Sequence, residues 1–153
     1  MKSLFLNGDK NNLKYNFFKT EYRLNYLISQ FKKEFLSIWN GVVMGGGVGL
    51  SIYGDHRLAT DNSKFAMPET AIGFFPDVGA SYFLSNLPNN IGKFIGLTGE
   101  ILTLNEIIFF GLATDYFPIE NLEKVKTSFI NSGEKDTKKY EVNNKSLIIE
   151  NID

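Results

Sequence analysis

Apolar residues in this chain fall into short blocks, and the spacing inside each block sets the element it predicts. Residues 7–16 are polar and read as a loop. From Phe17, the residues Phe17, Leu24, Leu27, Ile28 and Phe31 recur at the three-to-four step of a helix that buries one face. Glu21 falls on the same stripe, where a carboxylate is unusual unless it snorkels to water from the helix edge. Phe35 to Met44 is a run of strand-forming residues that ends in Gly45-Gly46-Gly47-Val48-Gly49, after which Leu50 to Tyr53 reads as a short helix. Arg57-Leu58-Ala59-Thr60 and Lys64-Phe65-Ala66-Met67 are short strands by the same criterion. The segment from Pro68 to Gly79 is broken by Pro68, Gly73, Pro76 and Gly79 and reads as irregular.

Helices are predicted over about 80–87 and 90–97, the second stopped by Gly99. Thr103-Leu104-Asn105-Glu106 has the form of a capping box and opens a helix through Phe110 that Gly111 closes. Ala113 to Phe117 reads as a last strand. Residues 1–130 thus form an α/β core with interleaved short strands and helices. Residues 131–153 read as a Lys-, Glu- and Asn-rich flexible connector in which Leu147-Ile148-Ile149 begins a further element.

Composition narrows the function. The 153 residues carry 16 Lys+Arg against 17 Asp+Glu, so the basic face of a nucleic-acid binder is not expected. The chain has no Cys and one His, which excludes a disulfide framework and a thiolate or His-rich metal site. No metal and no separate cofactor is expected. No apolar run approaches the roughly 18 residues of a membrane span, and Met1 to Asp9 turns polar too soon for a secretory signal.

Three features could carry chemistry. A glycine run between strand and helix lets backbone N–H groups approach a ligand closely. It ends in Gly49-Leu50-Ser51 without the Lys of a phosphate-binding loop, and Leu50 stands where a dinucleotide fingerprint begun at Gly45 requires Gly. An anion or oxyanion site made of backbone amides remains open, as does a tight packing turn. Glu69 and Asp77 stand in a mostly apolar segment, where desolvation raises a carboxyl pKa toward the range useful for proton transfer. Asp77 could instead cap the following helix, and Glu69 could be a surface turn residue. His56 lies in the polar turn Gly54-Asp55-His56-Arg57, and no Gly-x-Ser-x-Gly elbow accompanies it. It reads as a surface or capping residue.

The combination is more specific than its parts. Met44-Gly45-Gly46-Gly47-Val48-Gly49, Arg57-Leu58-Ala59-Thr60 and Met67-Pro68-Glu69-Thr70-Ala71-Ile72-Gly73 through Asp77-Val78-Gly79 resemble the crotonase (enoyl-CoA hydratase/isomerase) superfamily. Within it they are most similar to the 3-hydroxyisobutyryl-CoA hydrolases, from about Phe17 to Glu123. The resemblance implies a ββα superhelix that binds acyl-CoA, with coenzyme A as part of the substrate. The activity it implies is hydrolysis of a β-hydroxyacyl-CoA thioester, 3-hydroxyisobutyryl-CoA foremost, in valine breakdown. Gly46 matches the position that supplies one of two oxyanion-hole amides, each worth about 3–4 kcal/mol in other enzymes. Glu69 matches the catalytic carboxylate, Asp77 its partner near the 3-hydroxyl and leaving thiolate, and Glu21 a further substrate-binding carboxylate. A homo-oligomer and a mitochondrial location, or otherwise a cytoplasmic one, are likewise implied.

Two departures separate the hydrolase reading from water addition. Hydratases of the superfamily place a second catalytic Glu where this chain has Gly49, and usually a Gly where it has Asp77. The segment that supplies the first oxyanion amide is expected before Met1, since Asn7-Gly8-Asp9 resembles it but lies too close to Glu21. The chain is therefore expected to be an internal portion of a longer enzyme, lacking the first strands and the C-terminal helical part. A non-catalytic module that holds CoA or serves in assembly is the alternative, as is a hydratase/isomerase.

Overall fold

The computed structural model describes residues 12–151 except 136, 139, 144 and 145. Asn7-Gly8-Asp9 lies outside the described residues.

The first helix, α1 (Leu13–Ser29), starts four residues before Phe17, within the segment read as a loop, ends short of Phe31, and buries a different face from the one periodicity predicts. Phe17, Leu24, Leu27 and Phe31 face solvent, and the one buried residue of α1 is Asn25. Glu21, Asn25 and Ile28 form the row turned toward the rest of the molecule. The reason is what they meet. The opposing surface is glycine, which leaves room for polar side chains and offers little apolar area to a stripe of Leu and Phe.

The run 35–44 is two strands, β1 (Leu36–Trp39) and β2 (Val42–Met44), not one. The chain turns at Asn40-Gly41, where Gly41 takes φ +110°, a conformation that disfavours any side chain. This corner sends β1 and β2 into different sheets. Helix α2 (Gly46–Ser51) follows directly, so the glycine run is itself the first turn of the helix. Strands β3 (His56–Ala59) and β4 (Lys64–Ala66) repeat the same corner. β3 pairs parallel to β1, with Leu36 opposite His56 and Trp39 opposite Ala59; β4 pairs parallel to β2, with Val42 opposite Lys64 and Met44 opposite Ala66. A strand, a corner, a second strand and a helical turn make one coil, and the next coil stacks on it. This is the ββα superhelix.

After β4 come a 3-10 turn (Glu69–Ile72), α3 (Ala80–Ser85), α4 (Ile91–Thr98), β5 (Leu102–Thr103) and α5 (Leu104–Phe109). β5 closes the second sheet antiparallel to β4, and β6 (Asp115–Tyr116) closes the first parallel to β3. The orders are β1-β3-β6 and β2-β4-β5. The capping box holds, because the Thr103 side chain accepts from the Glu106 N–H while the Thr103 N–H donates to Glu106 Oε2 at 2.8 Å; the Thr103 hydroxyl also contacts that oxygen.

Between the sheets and helices lies a core of Trp39, Val48, Phe65, Met67, Ile95, Leu102 and Ile107, with Trp39 stacked on Phe65 at 5.8 Å. Helix α6 (Leu122–Ser132) covers the far side of the first sheet through Val125, Leu58 and Phe117. Beyond it, Lys138 bridges to Tyr116 and Lys135 pairs with Asp115 at 3.1 Å. A final helix, α7 (Leu147–Glu150), begins at Ser146. No helix among the described residues is long and apolar enough to cross a membrane.

Candidate active site

The strand-to-helix turn at Gly45 organises the site. Gly45 takes φ +51° and ψ −125°, which places Gly46 as the first residue of α2. The N–H of a first helical residue has no acceptor inside its helix and points outward from the positive end.

Two carboxylates flank this turn. Glu21 Oε1 lies 2.7 Å from the point a Cβ on Gly46 would occupy, and Glu69 Oε1 lies 3.4 Å from the corresponding point on Gly45. Any side chain at Gly46 would therefore strike the Glu21 carboxylate, so this glycine serves close packing of α1 on α2. Glu69 starts the 3-10 turn after β4 and is only 8% exposed, so it is not a surface turn residue. Its Oε2 is buried with no hydrogen-bond partner.

Asp77 completes the cluster. Its carboxylate accepts a 2.7 Å hydrogen bond from the Tyr22 hydroxyl on α1. Helix α3 has Gly79 at its cap and no side-chain capping bond, so Asp77 does not serve as its N-cap. The segment carrying Glu69 and Asp77 is pinned to α1 by Phe74, which stacks on Phe18 at 6.2 Å and on Phe75 at 4.4 Å. Gly79, at φ +80°, leaves space for the Tyr53 hydroxyl, which donates to the Val78 carbonyl at 2.9 Å.

The electrostatics follow from three carboxylates in a poorly hydrated space. Burial pushes the Glu69 carboxyl above its usual range, and the negative charge of Asp77 adds to it; a backbone hydrogen bond partly opposes them. Glu21 is raised for the same two reasons, burial first and Asp77 second. The Tyr22 phenol is held protonated by burial and by its bond to Asp77. It is a fixed donor to that carboxylate.

All four predicted residues, Glu21, Gly46, Glu69 and Asp77, thus meet around one turn. Sequence reasoning missed Tyr22 and Asn25. Asn25 follows Glu21 by four on the row facing α2, a spacing visible in the sequence, but its use depends on Gly49 lying opposite. His56, the lone histidine, lies elsewhere, edge-on to Phe129 and 3.9 Å from Glu34. Among the described residues no group of three His, Cys, Asp or Glu is arranged to hold a metal ion.

Comparison with known proteins agrees with this architecture. The crystal structure of a carnitinyl-CoA dehydratase from Mycobacterium thermoresistibile superposes with a TM-score of 0.77 at 40% identity, covering 81% of this chain and 36% of that one. The fold is that of the crotonases. A model of the enoyl-CoA hydratase/isomerase family matches residues 1–150, and the chain belongs to that family. It is 50% identical over 121 residues to 3-hydroxyisobutyryl-CoA hydrolase 1 of Arabidopsis thaliana, covering 78% of this chain and 32% of that protein. A mitochondrial 3-hydroxyisobutyryl-CoA hydrolase of Dictyostelium discoideum is 50% identical over 110 residues, covering 72% and 29%. Small ribosomal subunit protein mS47 of Neurospora crassa is 45% identical over 112 residues, covering 73% and 22%. The chain spans about a third of the length of the first of these relatives.

Proposed function

We propose that these residues form the catalytic turn of an acyl-CoA thioester hydrolase, with 3-hydroxyisobutyryl-CoA or a close β-hydroxyacyl-CoA as substrate. The observation that carries this reading is Glu69, a buried carboxylate with one oxygen unpartnered beside Gly45-Gly46. A base for hydrolysis needs that combination of free lone pairs and raised basicity.

The Gly46 amide donates to the thioester oxygen as negative charge develops on it. Glu69 takes a proton from water attacking the carbonyl, or attacks it directly and is then released by water. The C–S bond breaks and coenzyme A leaves as the thiol once its sulfur is protonated. Asp77, held by Tyr22, stands at the acyl group's hydroxyl and the departing sulfur, and Glu21 packs behind Gly46 on the substrate side. Gly49 carries no second carboxylate, which disfavours paired-carboxylate water addition. No cofactor beyond the substrate's own coenzyme A and no metal is needed. A mitochondrial location is supported by the name of the Dictyostelium relative.

A thiol-release assay with 3-hydroxyisobutyryl-CoA, on the full-length product of the gene encoding this chain, tests the reading. Glu69→Gln is expected to lower turnover by about 10²–10⁴, the range of a lost general base. Near-wild-type turnover would remove Glu69 from the mechanism. One observation favours a second reading, assembly without catalysis: the 45% identity to a ribosomal subunit protein. Absence of both thiol release and crotonyl-CoA hydration in the wild-type protein would decide for it.

A further inference from the structure

Three carboxylates gather at the site, and among the described residues no Lys, Arg or His pairs with Glu21, Glu69 or Asp77. Proteins ordinarily pair charges that are withdrawn from water. This cluster has a phenol instead. Among the described residues, the side-chain hydrogen bond from the Tyr22 hydroxyl to Asp77 Oδ2, at 2.7 Å, is the one that any of the three carboxylates receives.

Packing sets the position of that phenol. The Tyr22 ring lies 5.7 Å from Phe18, Phe18 stacks on Phe74 at 6.2 Å, and Phe74 belongs to the segment that carries Asp77. One aromatic row thus holds donor and acceptor together. The preceding residue on α1 is Glu21, whose carboxylate abuts Gly46. Successive helical positions diverge by about 100°, so α1 sends an acid to the glycine turn and a donor to Asp77. A cleft of about 320 Å³ opens on Tyr22 and Asp77 together. Of the other elements around Asp77, α2 carries no titratable side chain, and the Tyr53 hydroxyl after it is bonded to the Val78 carbonyl. Tyr82 on α3 and Lys93 on α4 are exposed.

We propose that Tyr22 is a positioning residue, standing where a cation would otherwise be, whose hydroxyl fixes the Asp77 carboxylate so that its charge stays beside Glu69. This rests on the thioester reading above. A Lys or Arg in that place would offset the Asp77 charge and lower the basicity of the carboxylates around it. A phenol orients the carboxylate and leaves its charge to act. That charge, after burial, is what raises both Glu69 and Glu21. Asp77 is only half-buried. Without the phenol its carboxylate turns to water, its charge leaves Glu69, and the base loses part of its raised basicity.

The test follows thiol release from 3-hydroxyisobutyryl-CoA by the full-length gene product, by Tyr22→Phe, by Asp77→Asn and by the double variant. Tyr22 is 38% exposed, so loss of its hydroxyl leaves no cavity. Tyr22→Phe is expected to lower kcat/KM by about tenfold or more. Its acidic limb is expected to move down, toward the ordinary Glu value of 4.5, by about half a pH unit. In the Asp77→Asn background the same substitution is expected to change kcat/KM by less than about twofold, because the group it acts through is gone. An unmoved limb, or an equal loss in both backgrounds, overturns the positioning role and leaves the hydrolase reading standing. No thiol release from the wild-type protein overturns both. Should Tyr22→Phe fail to fold, the ¹³Cζ resonance of Tyr22 decides. Its titration lies above the ordinary value of 10.0 in the wild type and is expected to fall toward it in Asp77→Asn. The same titration in both proteins would mean that the bond is not made in solution and would overturn the proposal.

Discussion

At the scale of single residues, the site works by withholding water from carboxylates that prefer it. Glu69 and Glu21 have raised pKa values because burial and the Asp77 charge both disfavour their ionised forms. The linkage sign follows. Stability contributed by such groups is full below the ordinary carboxylate range and is lost as pH rises through the raised value. Glu69→Gln is therefore expected to raise the Tm by a few degrees at pH 7 and to change it little at pH 4, as read by thermal denaturation at both pH values. An unchanged Tm at pH 7 would contradict the desolvation account. Under the proposed mechanism activity runs the opposite way, since a Glu69 base would act only when ionised. The acidic limb of the kcat/KM–pH profile is expected to lie above the ordinary Glu value of 4.5. Tyr22→Phe removes the donor to Asp77 without changing ring packing, and should shift that profile more than it shifts the Tm.

At the scale of elements, glycine decides which helices touch. A Cβ at Gly49 meets both Asn25 and Val78 at 2.7 Å, atoms fixed by α1 on one side and by the Asp77 segment on the other. Gly49→Ala is expected to destabilise by about 1–3 kcal/mol, the range for an overpacked interior, measured as a fall in denaturant midpoint. The cap of α5 is a milder test. Thr103→Ala removes the hydroxyl half of the reciprocal pair with Glu106, leaving the backbone N–H bond, and is expected to cost about 1 kcal/mol. The capping box was fully legible in the sequence, because its partners are three residues apart and both lie on the element they cap. The burial of α1 was not. Periodicity shows that a helix forms but not which neighbour it meets, and the neighbour here is a glycine surface that takes Glu21 and Asn25 in preference to Phe17 and Leu24.

At the scale of the whole molecule, successive coils are tied by residues far apart in sequence. Arg57 on β3 donates from Nε to the Leu112 carbonyl at 2.6 Å and from Nη1 to the Gly54 carbonyl at 2.8 Å, joining β3 to the approach to β6. Arg57→Met keeps much of the stem but leaves these carbonyls without that donor. A loss of about 1–3 kcal/mol is expected, with an unchanged denaturant slope if the molecule still unfolds as one unit.

The sequence by itself determined the local elements and the inventory of the site. Strand-forming runs, capping residues and glycine breakers act over a few positions, and the residues Glu21, Gly46, Glu69 and Asp77 stand in motifs whose joint spacing resembles one family. Only the tertiary structure decided where the run at 35–44 divides, since a corner at Gly41 is required by two sheets that the run alone does not reveal. It alone also brought Tyr22 to Asp77, 55 positions away, and seated Asn25 in the depression at Gly49. Those contacts depend on the stacking of one coil on the next. Local propensity carries no information about that stacking, because the free energy that selects it comes from packing between segments distant in the chain.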